Sequence, residues 1–188
     1  MTMLCDWQIA DLIRDQEMIA PAVLRQVRDD ERKGRIVSYG LSSAGYDIRL
    51  GDVFSSPTAA SIGDPHNVDA HYEGKSESWQ PVLLTSGHHL LGVSMERFKI
   101  PANIIGICVG KSTYARLGII VNVTPLEPGW EGYLTIEIHN ASARPVRVYP
   151  GEGIAQIMFH RISEPDVSYA DRGGKYQNQP NKPVESKL

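Results

Sequence analysis

The chain opens on a helical pattern. Trp7, Ile9, Leu12 and Ile13 recur at a spacing that gives one apolar face, with Asp6 placed to cap the helix. Pro21 suits the first turn of a second short helix through Val23, Leu24 and Val27. From Ile36 onward the pattern changes to short runs rich in Val, Ile and Tyr, separated by Gly, Pro, Asn and Ser. Such runs read as strands joined by turns, at 46–50, 82–84, 89–93, 104–109, 119–123, 133–139, 146–149 and 154–159. Residues 54–78 carry Pro57, Gly63, Pro65 and Gly74 with little periodicity, and predict a long, partly irregular excursion. Many strands and few helical windows predict a mainly β domain, a sandwich or barrel with short N-terminal helices. The last stretch, 169–188, is poor in apolar residues after Tyr176 and is expected to be mobile unless something docks it.

Composition narrows the partners. A chain of 188 residues with 41% apolar content can bury one substantial core, and 1–188 is read as a single domain. The net charge of −3 supplies no general basic field for nucleic acid, so an anionic ligand needs local cations. No apolar run reaches the roughly 18 residues of a membrane span, and the first residues lack the layout of a signal peptide. Two cysteines, Cys5 and Cys108, make no disulfide framework, and a cytoplasmic protein is the expectation.

Two segments carry candidate chemistry. Gly110-Lys111-Ser112-Thr113-Tyr114-Ala115-Arg116 gathers two cations and two hydroxyls in seven positions. It is not a phosphate-binding P-loop, because that pattern needs glycine where Ile105 stands. A solvated surface turn is the bland alternative. A short helical turn starting near Ser112 would instead direct free N–H groups and hydroxyls at a polyphosphate. The second segment is Tyr133-Leu134-Thr135-Ile136-Glu137-Ile138-His139. A period of two sends Leu134, Ile136 and Ile138 to one face and Thr135, Glu137 and His139 to the other. That polar face is either a wet sheet surface or the floor of a pocket with Glu137 as general acid and base.

Metal chemistry has a weaker claim. Zinc nucleobase deaminases use H-x-E followed by P-C-x-x-C, and no C-x-x-C occurs here. His88 and His89 adjoin and should face opposite ways, and His66 and His71 fall in the irregular excursion. The sequons at Asn122 and Asn140 mean nothing without a secretory signal.

Gly110 to Ile119 resembles the nucleotide motif of dCTP deaminases. So does Val121-Asn122-Val123-Thr124-Pro125-Leu126-Glu127-Pro128-Gly129-Trp130-Glu131-Gly132. Further matching blocks are Ser42 to Arg49, Leu134 to Glu137, Gly151 to Gln156, and Tyr169 to Gln179. Together they cover nearly the whole chain in order and resemble the bacterial dCTP deaminase branch of the dUTPase-like superfamily. The resemblance implies a β-rich homotrimer with sites shared between neighbours. It implies hydrolysis of dCTP to dUTP and ammonia, feeding dUMP and thymidylate synthesis. Mg²⁺ would accompany the triphosphate, without zinc, and dTTP is a plausible feedback inhibitor.

By the same resemblance Glu137 is the proton shuttle, with Ser112 and Arg116 beside it and a carbonyl after Val123 helping to hold water. Lys111, Ser112, Thr113, Tyr114, Ala115 and Arg116 would bind the nucleotide, chiefly its phosphates. Thr135, Ile136 and Glu137 would read the pyrimidine, and Gln156, Tyr169, Lys175 and Gln179 would complete the pocket, with the tail closing over the triphosphate. Burial raises the pKa of Glu137 and a nearby Arg116 lowers it, and Arg116 is expected to dominate. Related dUTPases place an Asp in the loop after their central hairpin. Glu127 stands nearest here, in a tight Leu126-Glu127-Pro128-Gly129 setting, which makes pyrophosphate release from dUTP the lesser expectation. A bifunctional deaminase–dUTPase and a non-catalytic nucleotide sensor are the alternatives.

Overall fold

Two antiparallel sheets share one buried cluster, and the polar segment containing Glu137 crosses the second of them. A computed structural model describes residues 2–31, 34–57, 63–66 and 72–187. The N-terminal third holds β1 (Thr2–Met3), α1 (Asp6–Gln16), β2 (Ile19–Ala20), β3 (Val27–Asp30), β4 (Gly34–Ser42) and β5 (Gly45–Arg49). Next come β6 (Val53–Pro57), β7 (Tyr72–Glu77), β8 (Val82–Leu84), β9 (His89–Lys99) and β10 (Ile104–Gly110). The short α2 (Ser112–Ala115) leads to β11 (Ile119–Asn122), β12 (Glu131–Asn140), β13 (Val146–Val148) and β14 (Gly153–Arg161). One sheet runs β1-β14-β5-β4-β3 with β10 on the other edge of β14, and the second runs β11-β12-β9-β6-β7 with β2 on β9. A ribbon of β8 and β13 completes the fold.

The mainly β expectation holds, and every strand read from the sequence is present, several of them longer. Alternation explains the site strand directly: Leu134, Ile136 and Ile138 of β12 are buried, while Thr135, Glu137 and His139 lie half-buried on the opposite face. Its far end is fixed by Asn140, whose buried carboxamide donates to the carbonyls of Leu84, Thr85 and Arg144. A buried amide making three bonds is a structural anchor, which disposes of the second sequon.

The N-terminal segment corrects two expectations. Cys5, not Asp6, caps α1, with the Cys5 N–H donating to Gln8 Oε1 and Asp6 serving as the acidic first residue. The helix expected from Pro21 does not form. Ile19 and Ala20 instead pair with Phe98 and Arg97, the Val23 N–H donates to the Tyr46 hydroxyl, and the Val23 carbonyl accepts from Leu41 N–H. Those backbone groups are spent on tertiary partners, and a four-residue apolar window cannot outbid them. Within 54–78, β6 and β7 form a hairpin that weak periodicity concealed, and His71 lies outside the described residues.

The tail is docked on its own chain. Asn178 N–H donates to the Glu131 carbonyl, Tyr133 N–H to the Gln179 carbonyl, and the Trp130 indole to the Tyr176 carbonyl. Gly132 permits this approach: a Cβ there would sit 2.6 Å from the Gln179 nitrogen, at a φ of +145°.

Candidate active site

β11 covers only the C-terminal half of β12, pairing Asn122 with Glu137 and Ile119 with Asn140. The edge from Glu131 to Thr135 is left open, and the tail fills it. Thr135 N–H donates to Gln179 Oε1 at 3.3 Å, and Thr135 Oγ1 accepts from Val184 N–H at 2.9 Å. A pocket of about 530 Å³ remains between strand and tail, walled by His89, Leu91, Thr135, Glu137, Tyr169 and Lys175. The loop Val123-Thr124-Pro125 forms its rim, beside Glu127. Thus Thr135, Glu137, Tyr169, Lys175 and Gln179 meet at one site, whereas the Ile136 side chain is fully buried in the core and offers the site only its backbone.

Glu137 is the group with chemistry to offer. Its Oε2 accepts from Asn122 Nδ2 at 2.9 Å. Burial pushes its pKa above the usual carboxylate value, and the Asn122 donor and a backbone N–H pull back less strongly. Within the single chain the Arg116 guanidinium donates at 3.3 Å to the Ser112 carbonyl on its own turn, and burial is the largest influence on the Glu137 carboxyl. Cys108 lies near the carboxylate, and burial first, the Glu137 charge second, push its thiol up to about 12. His89 faces His139 across the β9–β12 ladder, with ring centroids 6.5 Å apart. Burial, then His139 and His88, holds the His89 imidazole below its usual pKa.

Tail groups at the pocket are themselves anchored. The Tyr169 hydroxyl accepts from Tyr176 N–H at 3.0 Å, and Lys175 Nζ donates to the Lys187 carbonyl at 3.0 Å. Glu127 is paired with Arg172.

The hydroxyl-rich turn lies elsewhere in the chain. Residues Ser112–Ala115 form the expected short helical turn, with Ser112, Thr113, Ala115 and Arg116 exposed. Tyr114 points inward, and its buried hydroxyl accepts from Tyr149 N–H at 3.2 Å. Lys111 does not present a free cation: its ammonium donates to Asp47 Oδ2 at 2.6 Å and Ser38 Oγ at 2.9 Å. Thr113 borders a large open cleft with Arg28, Arg35 and Trp79, separate from the Glu137 pocket. Gln156, on β14, donates to Ser42 Oγ and borders a third cleft beside Gln26 and Ser43. Within one chain the candidate residues therefore fall apart, one group around Glu137, a second on the α2 turn, and Gln156 at a third cleft on β14.

Sequence reasoning missed Asn122 and Asp47 as partners. Asn122 was visible as a sequon and within the family-like block, and its pairing with Glu137 follows only from the β11–β12 register. Asp47 stood within the family-like block from Ser42 to Arg49, but its pairing with Lys111 spans 64 positions and has no local signature.

An antiparallel two-sheet fold with a carboxylate pocket at a strand edge, closed by the chain's own tail, is a ligand-enclosing architecture. The chain belongs to the dCTP deaminase-like family, whose model matches residues 3–162. It is 46% identical over 183 residues to a dCTP deaminase of Azotobacter vinelandii, covering 95% of this chain and 96% of that one. A dCTP deaminase of Burkholderia cenocepacia is 46% identical over 184 residues, with the same coverage of 95% and 96%. The crystal structure of a 2'-deoxycytidine 5'-triphosphate deaminase from Agrobacterium tumefaciens matches with TM-score 0.65 and 20% identity over 85% of this chain. The chain spans about half of that longer protein, 48%, and the likeness is one of fold. No helix among the described residues is long and apolar enough to cross a membrane.

Proposed function

We propose that this protein deaminates dCTP hydrolytically to dUTP and ammonia, with Glu137 moving the protons. The observation that carries the reading is Glu137 itself, a half-buried carboxylate in a pocket of about 530 Å³, on a chain 46% identical to dCTP deaminases across almost its full length. Cytosine C4 is a weak electrophile and water a weak nucleophile, so attack needs a base that accepts the water proton as the C–O bond forms. Glu137 takes that proton and delivers it to N3, giving a tetrahedral carbon that bears both oxygen and nitrogen. It then takes the remaining hydroxyl proton and passes it to the amino group, the C4–N4 bond breaks, and ammonia leaves. One water hydrogen ends on N3 and the other on the departing nitrogen. A pKa raised by burial suits a group that must both accept and return a proton.

The rim after Val123 would help to hold the water, and the edge of β12 at Thr135, Ile136 and Glu137 would read the pyrimidine. Tyr169, Lys175 and Gln179 would enclose the nucleotide from the tail. Ser112, Thr113, Ala115 and Arg116, on the turn that Lys111 and buried Tyr114 hold in place, would serve the phosphates together with Gln156. Their separation from Glu137 within one chain supports a homotrimer in which the α2 turn of one subunit completes the Glu137 pocket of the next. Mg²⁺ would arrive chelated by the triphosphate, as part of the substrate. The same pocket would accept dTTP as a feedback inhibitor. The pairing of Glu127 with Arg172 favours deamination over pyrophosphate release, because the only acid in the rim loop is already engaged.

Incubation with dCTP and Mg²⁺, followed by product identification, tests the reading. Ammonia and dUTP in equal amounts without pyrophosphate are expected, unchanged by a zinc chelator, and dTTP added to the same assay should slow them. Pyrophosphate alongside ammonia would establish the bifunctional enzyme, and binding without turnover the sensor.

A further inference from the structure

Asn122 is the last residue of β11 and stands directly opposite Glu137 in the antiparallel ladder, so both side chains leave the sheet on the same face. The only side-chain hydrogen bond between the two strands at this point runs from its carboxamide to Glu137 Oε2, at 2.9 Å. Asn122 is exposed, so this bond is not a by-product of burial. Beyond it the chain turns immediately into the Val123-Thr124-Pro125 rim of the pocket. The amide therefore sits at the join between the strand that presents the carboxylate and the loop that borders the reacting space.

We propose that Asn122 is the positioning residue for Glu137: its carboxamide immobilises one carboxylate oxygen, so that the carboxylate works in a single orientation toward the bound pyrimidine. The proposal rests on the deaminase reading and extends it. A glutamate has three side-chain torsions, and a proton shuttle that must serve water, N3 and the amino group in turn loses rate if it wanders. A neutral amide donor restrains the side chain without adding a charge of its own. It stabilises the carboxylate only in part, leaving the raised proton affinity that the return step needs. Arginine in that place would form a stronger, bidentate bond and hold the carboxylate too firmly ionised to give a proton back efficiently.

Several titratable groups face Glu137 from the elements around it. They are His139 on its own strand, His89 on β9, Cys108 on β10, Lys175 and Tyr169 from the tail, and Glu127 at the rim, joined in the proposed homotrimer by Arg116 on the α2 turn of the next subunit. β11 contributes no titratable side chain. All of these remain in place when Asn122 alone is changed, so a comparison of variants at this position isolates the amide.

The test compares Asn122→Leu, which keeps the volume and removes the donor, with Asn122→Asp, which replaces the donor by a like charge. In protein labelled at the glutamate side-chain carbons and free of substrate, the Glu137 carboxyl is identified by its loss in Glu137→Gln and followed by NMR against pH. Its titration is expected at higher pH in Asn122→Leu than in the unaltered protein, and higher again in Asn122→Asp. In turnover of dCTP the acid limb of kcat/KM should move in the same order, and kcat at neutral pH should fall on the order of tenfold for Asn122→Leu with KM within about twofold. An unmoved carboxyl titration in both variants overturns the proposal. So does a loss in kcat/KM that is equal at every pH, since that is what a merely structural role produces. Because the NMR titration needs no substrate, its outcome is separate from that of the deaminase reading, which fails only if no ammonia is released by the unaltered protein.

Discussion

The Lys111 ammonium lies 2.6 Å from Asp47 Oδ2, in a pair whose side chains are only 12% and 2% exposed. The pair ties β10 at the start of the α2 turn to β5, and Gln26 donates to the same Asp47 oxygen. Asp47 Oδ1 is buried with no hydrogen-bond partner among the described residues, which adds to the demand that the oppositely charged neighbour stay in place. Asp47→Ala leaves the Lys111 charge buried and unmatched, and is expected to destabilise the protein by about 3–5 kcal/mol. The double variant Asp47→Ala, Lys111→Met should recover most of that loss. Denaturant unfolding of the unaltered protein and the two variants checks it, and equal stability of the single and double variants would mean that Lys111 does not depend on Asp47.

Glu137 should tie stability to pH in a definite direction. Burial raises its folded pKa above the unfolded value, so the folded state keeps the proton longer. Its contribution therefore favours folding at low pH and disappears as pH rises from the ordinary glutamate range, about 4.3, through the folded value. Glu137→Gln removes that slope. Against the unaltered protein, the variant should gain relative stability from acidic to neutral pH while its turnover falls on the order of 10²- to 10⁴-fold. Urea unfolding across that range measures the first effect, and ammonia release the second. A stability difference independent of pH would contradict the assigned shift.

The proposed division of the site between two subunits is tested by a mixing experiment. Glu137→Gln and Arg116→Ala damage different halves, so each homotrimer is expected to be nearly inactive. After joint unfolding and refolding at equal amounts, random assembly gives about one quarter of sites an intact half from each neighbour, and activity should return to about 25% of the unaltered level. A mixture no more active than the average of its components would place both halves of each site in one chain.

The tail holds the β12 edge at Thr135 through Gln179 and Val184, and Trp130 through Tyr176. Truncation after Ser168 should leave the two sheets folded, because few of the tail's residues join the core, with Tyr169 packed only at its margin. KM for dCTP is expected to rise on the order of 10²-fold, equivalent to about 2.8 kcal/mol of lost binding. Circular dichroism checks the fold and steady-state kinetics the affinity; an unchanged KM would show that the tail does not enclose the nucleotide.

Alternation and helical spacing carried most of the architecture, because side-chain period is a local property of backbone geometry. Leu134, Ile136 and Ile138 could be assigned inward, and Glu137 to the opposite face, before any partner strand was known. The same reasoning failed at Pro21, where local helical preference lost to β9 and Tyr46, and across 53–77, where the β6–β7 hairpin has too little apolar contrast to declare itself.

By itself the order of residues determined that this is a β-rich chain with a lone strand carboxylate, a hydroxyl-rich turn and a family likeness running almost end to end. Only the tertiary structure decided that Asn122 holds that carboxylate, that Asp47 neutralises Lys111, and that the tail lies along the open edge of β12. The reason is the same in each case. Pairings across long stretches of chain depend on strand register and on which sheet edges remain free, and those follow from how the whole chain packs rather than from any window of sequence.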